Sequence, residues 1–456
     1  MNVVLAPFTN NHHKEKDMRK ILLLSVIAIC ILLCSCKTQE SSGSRLYPSG
    51  GSVGLAYEAN GDGTCSVTGR GTCTDQCIVI PSTSPDGQRV TTIKEKAFFF
   101  DNTILSITLP ETLESIEKDA FFQCTKLYEI INLSRMGIDK GYVGYHGDIG
   151  RYAKEIHKGP GKMEEQDGFF FYEIDGENYL IYSVNTESDI IFPESLHGES
   201  YSILPALFSL GQLTVNPDER LITSITFPDN ALINTIGDGA FKNHQELVSV
   251  TFGDNCQLER IGMFAFSDCF ALESVNFGSN SVLKSIGYSA FESCAKLRTF
   301  DFSLLKNLET IECNAFWECK NLSAVELQAS VSWIEEDAFT SCWNLTLFTF
   351  ADGSKITEIP SDMLHGCYRL TEIRIPEGVT TIGASAFWGT SLTTIYLPAG
   401  LETVEYGAFA VDTNYVQDGV KVYYAGTEAD FEKLDFSFTQ WGLRTSSTEI
   451  IYDYKP

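Results

Sequence analysis

The dipeptide Ala-Phe recurs along this chain at a nearly fixed step, and that recurrence restricts the fold more than any other feature. It stands at Ala97-Phe98, Ala120-Phe121, Ala240-Phe241, Ala265-Phe266, Ala290-Phe291, Ala315-Phe316, Ala338-Phe339, Ala386-Phe387 and Ala408-Phe409, with Met363-Leu364 once in the same slot. From Ala240 onward the steps are 25, 25, 25, 23, 25, 23 and 22 residues. Just before the anchor come pairs such as Ile236-Gly237, Ile261-Gly262, Ile286-Gly287, Ile311-Glu312 and Ile382-Gly383. Four residues after its first member a cysteine follows at Cys124, Cys269, Cys294, Cys319, Cys342 and Cys367. Three residues further begins a Leu-x-x-Ile-x-Leu/Phe unit, as in 247–252, 272–277, 297–302, 322–327, 345–350 and 370–375. Its last apolar residues alternate with period two, as on a half-buried strand. Pro110, Pro228, Pro376 and Pro398 end such strands and turn the chain.

One such unit carries about five apolar side chains, too few to enclose a core alone. Stacking the units as coils buries each against its neighbours, at the strand spacing of about 4.8 Å. Roughly ten coils give a body on the order of 50 Å long. Each anchor phenylalanine then belongs to a column inside the stack.

The pattern Leu-x-x-Ile-x-Leu-Pro followed by Ile-Gly-x-x-Ala-Phe-x-x-Cys resembles the BspA-like leucine-rich-repeat surface proteins, whose repeats are also called the Treponema pallidum type. The resemblance implies an α/β leucine-rich-repeat solenoid that is strand-rich and right-handed, with parallel strands on one face and a cap at each end. It covers about residues 52 to 456 and extends to the ends. Asn60-Gly61-Asp62-Gly63-Thr64 through Ile78-Val79-Ile80-Pro81 is similar to that family's N-terminal hairpin cap, and Val422-Tyr423-Tyr424-Ala425-Gly426 with Phe431 to its C-terminal cap. The boundaries expected are a cap at 52–92, first coils at 93–135, an irregular insertion or degenerate coil at 136–210, the main array at 211–420 and a closing cap at 421–456. Within the insertion, 168–173 and 178–183 read as a hairpin around Asp175-Gly176.

The N-terminus carries an export signal. Met18-Arg19-Lys20 precedes an apolar run, Ile21 to Leu33, too short to span a bilayer comfortably. The run ends in Leu33-Cys34-Ser35-Cys36, which resembles a bacterial lipobox and implies that Cys36 is acylated. Residues 18–35 then form a lipoprotein signal peptide and 36–51 a Ser/Gly-rich tether, while 1–17 fit neither and read as a spurious extension. An outer-membrane lipoprotein displayed at the cell surface is the location expected, with membrane contact through the lipid on Cys36.

Charge and chemistry narrow the function. The chain has 33 basic and 60 acidic residues, a net of −27, without a basic stripe, so nucleic acid is excluded as a partner class. Its 14 cysteines would suggest disulfides in an exported protein, but six fill one structural slot and read as a column of buried thiols. Cys65, Cys73 and Cys77 fall together in the cap, where spacing leaves one disulfide open. No Cys-x-x-Cys or Cys-x-x-His pair suggests a metal, and no cofactor is expected. Gly50-Gly51-Ser52-Val53-Gly54 matches a nucleophile elbow formally but lacks the strand before it and the helix after it. Glu58 to Gly69 resembles a calcium loop but ends in Gly69 where the bidentate Glu belongs, so an Asp-Gly turn explains it better. No catalytic constellation recurs, and an enzyme is not expected.

A binding role falls to the outward strand residues. One column reads Thr226, Thr251, Asn276, Asp301, Glu326, Thr349, Arg374 and Tyr396, and the next is mostly Ser and Thr. Asp301 and Glu326 are expected about 4.8 Å apart on adjacent strands, and Arg374 and Tyr396 are residue types favoured at protein-binding hot spots. These four are the candidate ligand-binding residues, with an aromatic edge of Trp317, Trp343 and Trp388 as the other candidate. Family resemblance implies host extracellular-matrix proteins or other cells as partners. The alternative is a glycan- or nutrient-capturing lipoprotein without catalysis, using exposed aromatic rings as stacking platforms.

Overall fold

The computed structural model describes residues 51–141, 143–183, 185, 187–204, 207–208, 221–410, 419–434 and 448–455. The leader, Cys36 and nearly all of the tether lie outside these residues. What is described is a parallel-strand solenoid of about 14 turns, nearly free of helix. The number exceeds the roughly ten coils marked by Ala-Phe because cap and insertion strands also occupy rungs without carrying the anchor. Helical structure among the described residues amounts to the short α-helix Glu428–Phe431 and two 3-10 turns.

Each coil of the array contributes two strands, to two ladders. The Leu-x-x-Ile-x-Phe unit supplies the longer one: Ser224–Phe227, Ser249–Phe252 and Ser274–Phe277 pair in parallel, residue for residue. The Ile-Gly pair supplies a two-residue strand, and Arg260–Ile261, Ser285–Ile286, Thr310–Ile311 and Trp333–Ile334 stack into a second parallel ladder. The structure thus adds a second strand-bearing face to the one expected. Glycine after the isoleucine lets coils approach closely in part of the array, while Glu312 and Glu335 take that place elsewhere. A Cβ on Gly287 would lie 2.8 Å from the Gly262 carbonyl carbon of the preceding coil, closer than such atoms come.

Between the ladders the Ala-Phe segment joins coils directly. The N–H groups of Phe241, Phe266, Phe291 and Phe316 each donate at 2.8 Å to the alanine carbonyl of the next coil. Their rings stack at 5.2–5.3 Å from Phe241 through Phe339. All are fully buried, and the column resumes at Phe387–Phe409 after the Met363-Leu364 slot. Two residues past each phenylalanine the backbone turns left-handed, at Asn243, Asp268, Ser293, Glu318 and Ser341. Short polar residues dominate that position because their side chains bond locally and tolerate positive φ.

The cysteine slot has a defined partner. The thiols of Cys269, Cys294, Cys319, Cys342 and Cys367 donate to the carbonyls of Phe241, Phe266, Phe291, Phe316 and Phe339 of the preceding coil, at 3.2–3.4 Å. Cys124 does the same to Phe98 at 2.9 Å. Burial raises all six thiols, that of Cys124 to about 12, so they stay protonated and unreactive at neutral pH. His244 fills the slot in the first coil of the main array and bonds Phe208 O, while Thr390 uses its hydroxyl toward Phe387 O at 2.8 Å. All eleven cysteines among the described residues are free, including Cys65, Cys73 and Cys77.

The segment after residue 135 builds a defined element. Glu155–His157 continues the N-terminal long ladder beyond Glu129–Asn132. Met163–Gln166, Phe169–Ile174 and Glu177–Ser183 then form an antiparallel meander, with Asp175 and Gly176 both at positive φ in its second turn. Glu177–Ser183 pairs in parallel with Tyr201–Ile203, which leads into Ile233–Ile236 and the short ladder of the main array. The run Phe169-Phe170-Phe171-Tyr172 is buried on both sides of this sheet. Phe169 and Phe171 join the core of the main array, whereas Phe170 and Tyr172 cover Cys77 and Leu105 of the N-terminal coils.

Candidate interaction surface

The long ladder of the main array presents a flat outward face because its strands alternate strictly. Ser224–Phe227, Ser249–Phe252 and Thr394–Leu397 bury their second and fourth residues and leave the first and third half-exposed. Ser224, Ser249, Ser274 and Thr299 align in one outward row, with Thr226, Thr251 and Asn276 in the next. Ordinary β-forming residues thus produce a row of hydroxyls without burying one.

The face has two discontinuities, and both fall at candidate residues. Asp301 is not on a strand. In its coil Phe300 takes the register place of Val275, the strand stops at Thr299–Phe300, and Phe302–Leu304 turns as a 3-10 helix. Asp301 caps that turn, accepting from Ser303 N at 3.0 Å and Ser303 Oγ at 2.5 Å. Glu326 pairs instead with Thr349 across the next ladder step. The adjacent-strand carboxylate pair expected from the sequence is therefore not formed. The Phe300 ring packs edge-on to Phe277, Phe291 and Phe316 where the strand ends, and Asp301 serves a local cap instead.

The other pair does meet. Arg374 and Tyr396 are register partners, and Tyr423 follows on the next strand. The Arg374 guanidinium lies 4.0 Å from the Tyr396 ring centre and donates to the Tyr454 hydroxyl at 3.3 Å. Tyr396, Tyr423 and Tyr454 pack with ring centres 4.8–5.3 Å apart. Burial raises the Tyr396 hydroxyl above its ordinary range, followed by the Glu372 charge. Tyr423 and Tyr454 escaped sequence reasoning. Tyr423 was assigned to the cap, and the closing chain that brings Tyr454 alongside carries no repeat signal.

The aromatic edge is partly open: Trp343 is 43% and Tyr368 58% exposed, 6.4 Å apart, whereas Trp317 and Trp388 are half-buried. Ser52 of the formal nucleophile elbow is buried and accepts from Val79 N at 3.0 Å. Asp62 accepts from the Thr64 N–H and hydroxyl, forming the hairpin turn between Ala56–Ala59 and Thr64–Gly69. Among the described residues no group of three His, Cys, Asp or Glu side chains could hold a metal, and no helix is long and apolar enough to cross a membrane.

Two stacked ladders, an internal phenylalanine column and a repeated 22- to 25-residue coil define a leucine-rich-repeat scaffold. The chain belongs to the BspA type leucine-rich-repeat family, which matches in 6 copies over residues 76–138, 218–305 and 284–415, more than half of its length. The chain is also similar to solved leucine-rich-repeat structures. A leucine-rich cell surface protein of Faecalibacterium prausnitzii is 20% identical, covering 88% of this chain and 98% of that one at a TM-score of 0.30. A leucine-rich-repeat protein of Bacteroides ovatus is 21% identical, covering 87% and 98% at 0.37. The T. pallidum leucine-rich-repeat protein is 16% identical, covering 58% and 86% at 0.23. No curated protein sequence matches. The family sets the general role as protein interaction or adhesion.

Proposed function

We propose that this chain is a surface-displayed lipoprotein, anchored through Cys36, that binds protein partners on the open long ladder of its main array. The observation that carries the reading is the contrast in cover. The strands from Ser224 to Tyr424 leave their outward residues open, whereas Ser106–Leu109 of the N-terminal coils is buried on both faces. A flat, hydroxyl-rich sheet, followed beyond the breaks in the ladder by Arg374 and Tyr396, suits a protein surface, since Arg and Tyr supply rigid contact area at little entropic cost. The lipobox pattern and tether support outward display, because a flexible linker lifts a domain off the bilayer. Host matrix proteins or neighbouring cells are the partners proposed. The scaffold's role is display rather than catalysis.

The test is binding of the purified chain to immobilised fibronectin, fibrinogen and collagen, beside an Asp301→Ala/Glu326→Ala/Arg374→Ala/Tyr396→Ala variant. Saturable binding by the parent, lost in a variant that still melts cooperatively, is the result expected. Undiminished binding by the variant moves the site off the ladder. No binding to any of the three at micromolar protein rejects the matrix partners.

A further inference from the structure

The long ladder is broken between Leu347–Phe350 and Glu372–Arg374, which belong to different sheets. At the break a cleft of about 380 Å³ opens, lined by residues 350–354 on one side and by Arg374, Glu377, Tyr396 and Tyr454 on the other. Its chemistry differs from that of the flat face. The Arg374 guanidinium is held between Tyr396 and Tyr454, 4.0 Å and 5.7 Å from their ring centres, and Tyr423 backs both rings. One guanidinium N–H is committed to the Tyr454 hydroxyl. A guanidinium has five N–H donors in a fixed fork, so others are available in an orientation set before anything binds. Asp352 and Glu377 line the same cleft.

This combination selects among ligand classes. An anion would gain from Arg374 but meet two carboxylates. A cation would gain from Asp352 and Glu377 but meet the guanidinium. A purely apolar ligand would offer none of the three charged groups a partner. A neutral polyhydroxylated ring satisfies every wall at once. Its hydroxyls donate to the carboxylates and accept from the guanidinium, and its C–H face packs against Tyr454, while Tyr396, held between Arg374 and Tyr423, fixes the guanidinium. The volume lies at the small end of ligand sites and suits roughly one or two sugar rings.

We propose that this cleft binds a neutral pyranose unit of an oligosaccharide. The proposal goes beyond protein recognition on the flat face: it shares Arg374 and Tyr396 with that reading but not Asp301 and Glu326, which do not line the cleft.

Isothermal titration of the full chain with neutral hexasaccharides of glucose, mannose and galactose tests the proposal, with polygalacturonate and chitosan oligomers as charged controls. Saturable heat is expected with at least one neutral sugar. Tyr396→Ala, and separately Asp352→Asn/Glu377→Gln, should each weaken it about tenfold. Tyr454→Phe keeps the ring but frees the guanidinium, and should weaken binding about threefold without altering the melt. Glu326→Ala should bind sugar like the parent. The proposal is overturned by an absence of heat with all neutral sugars at millimolar concentration. Preference for either charged oligomer, or undiminished affinity in the cleft variants, also overturns it. Matrix-protein binding without sugar binding removes this proposal alone, and sugar binding without matrix-protein binding removes the ladder reading alone.

Discussion

Ser106-Ile107-Thr108-Leu109 and Ser249-Val250-Thr251-Phe252 are nearly the same strand, occupying the same place in the repeat in two halves of the molecule. In the first, all four residues are buried, and in the second the serine and threonine stand half-exposed. Nothing in the strands causes the difference. The cause is the meander, which lays Phe170, Tyr172 and Ile181 over Cys77 and Leu105 and pins them at the rim. There Glu129, fully buried, bonds His157 Nε2 at 2.7 Å, and Tyr172 reaches the same imidazole nitrogen at 3.3 Å. Lys126 sits over the Tyr182 ring at 4.8 Å. A repeat sequence therefore specifies a face, and its surroundings decide whether that face is core or surface.

The comparison can be broken most severely by a charge. Thr108→Lys places an ammonium on the buried N-terminal face and should cost about 3–5 kcal/mol, whereas Thr251→Lys should change stability by less than about 0.5 kcal/mol. Denaturant melts of the two variants decide it, and equal costs would mean that the N-terminal face is not covered. Removing the cover is the next test. Phe170→Ala should loosen it by about 3 kcal/mol and speed alkylation of Cys77 roughly 100-fold, leaving Cys294 protected. Mass spectrometry of the alkylated peptides reads both sites, and parallel labelling of the two would point to global unfolding instead.

Acid should act at the joint between the halves. His244 is buried in the first coil of the main array, and burial lowers its imidazole from 6.5 to about 4, with the Phe208 carbonyl opposing weakly. The unfolded chain therefore takes the proton first. Its contribution is intact above pH 6.5 and is lost as pH falls toward about 4, by about 3 kcal/mol. His244→Cys, which restores the residue type of the slot, should remove that part of the pH dependence in melts recorded from pH 7 to 4. The smallest effect concerns Ser106. Its hydroxyl is buried without a hydrogen-bond partner among the described residues, unlike the half-exposed Ser249. Ser106→Ala should stabilise by about 1 kcal/mol, and Ser249→Ala should be neutral within about 0.5 kcal/mol.

The phenylalanine and cysteine columns were legible because they recur at one step, and recurrence in a stack means contact. Free thiols in the slot followed from the same logic, but their carbonyl partners did not, since a side chain's acceptor leaves no trace in spacing. The short ladder was unreadable as strand. Two residues cannot display a period of two, and only the repetition of Ile-Gly hinted at a shared structural demand. Asp301 was misplaced because the column was counted by spacing, while the strand of its coil stops at Phe300 and the Asp-Phe-Ser-Leu sequence turns as a 3-10 helix with Asp301 as its cap. The four-aromatic run at 169–172 signals a strand buried on both faces, but which surfaces it covers is a long-range fact that no local pattern contains. Arg374 and Tyr396 were read as members of one outward column, and the step between their coils makes them register partners.

The coil-to-coil bonding has a consequence for how such a chain can change its length. A disulfide framework ties each cysteine to one particular partner, so losing a segment orphans a sulfur somewhere else. Here each thiol addresses the phenylalanine carbonyl of whichever coil precedes it, and each phenylalanine N–H addresses the alanine of whichever coil follows. Deleting or duplicating one 25-residue step leaves every kind of bond in place. The coil is thus a unit of recombination, and the length of the solenoid can be reset without redesigning its core.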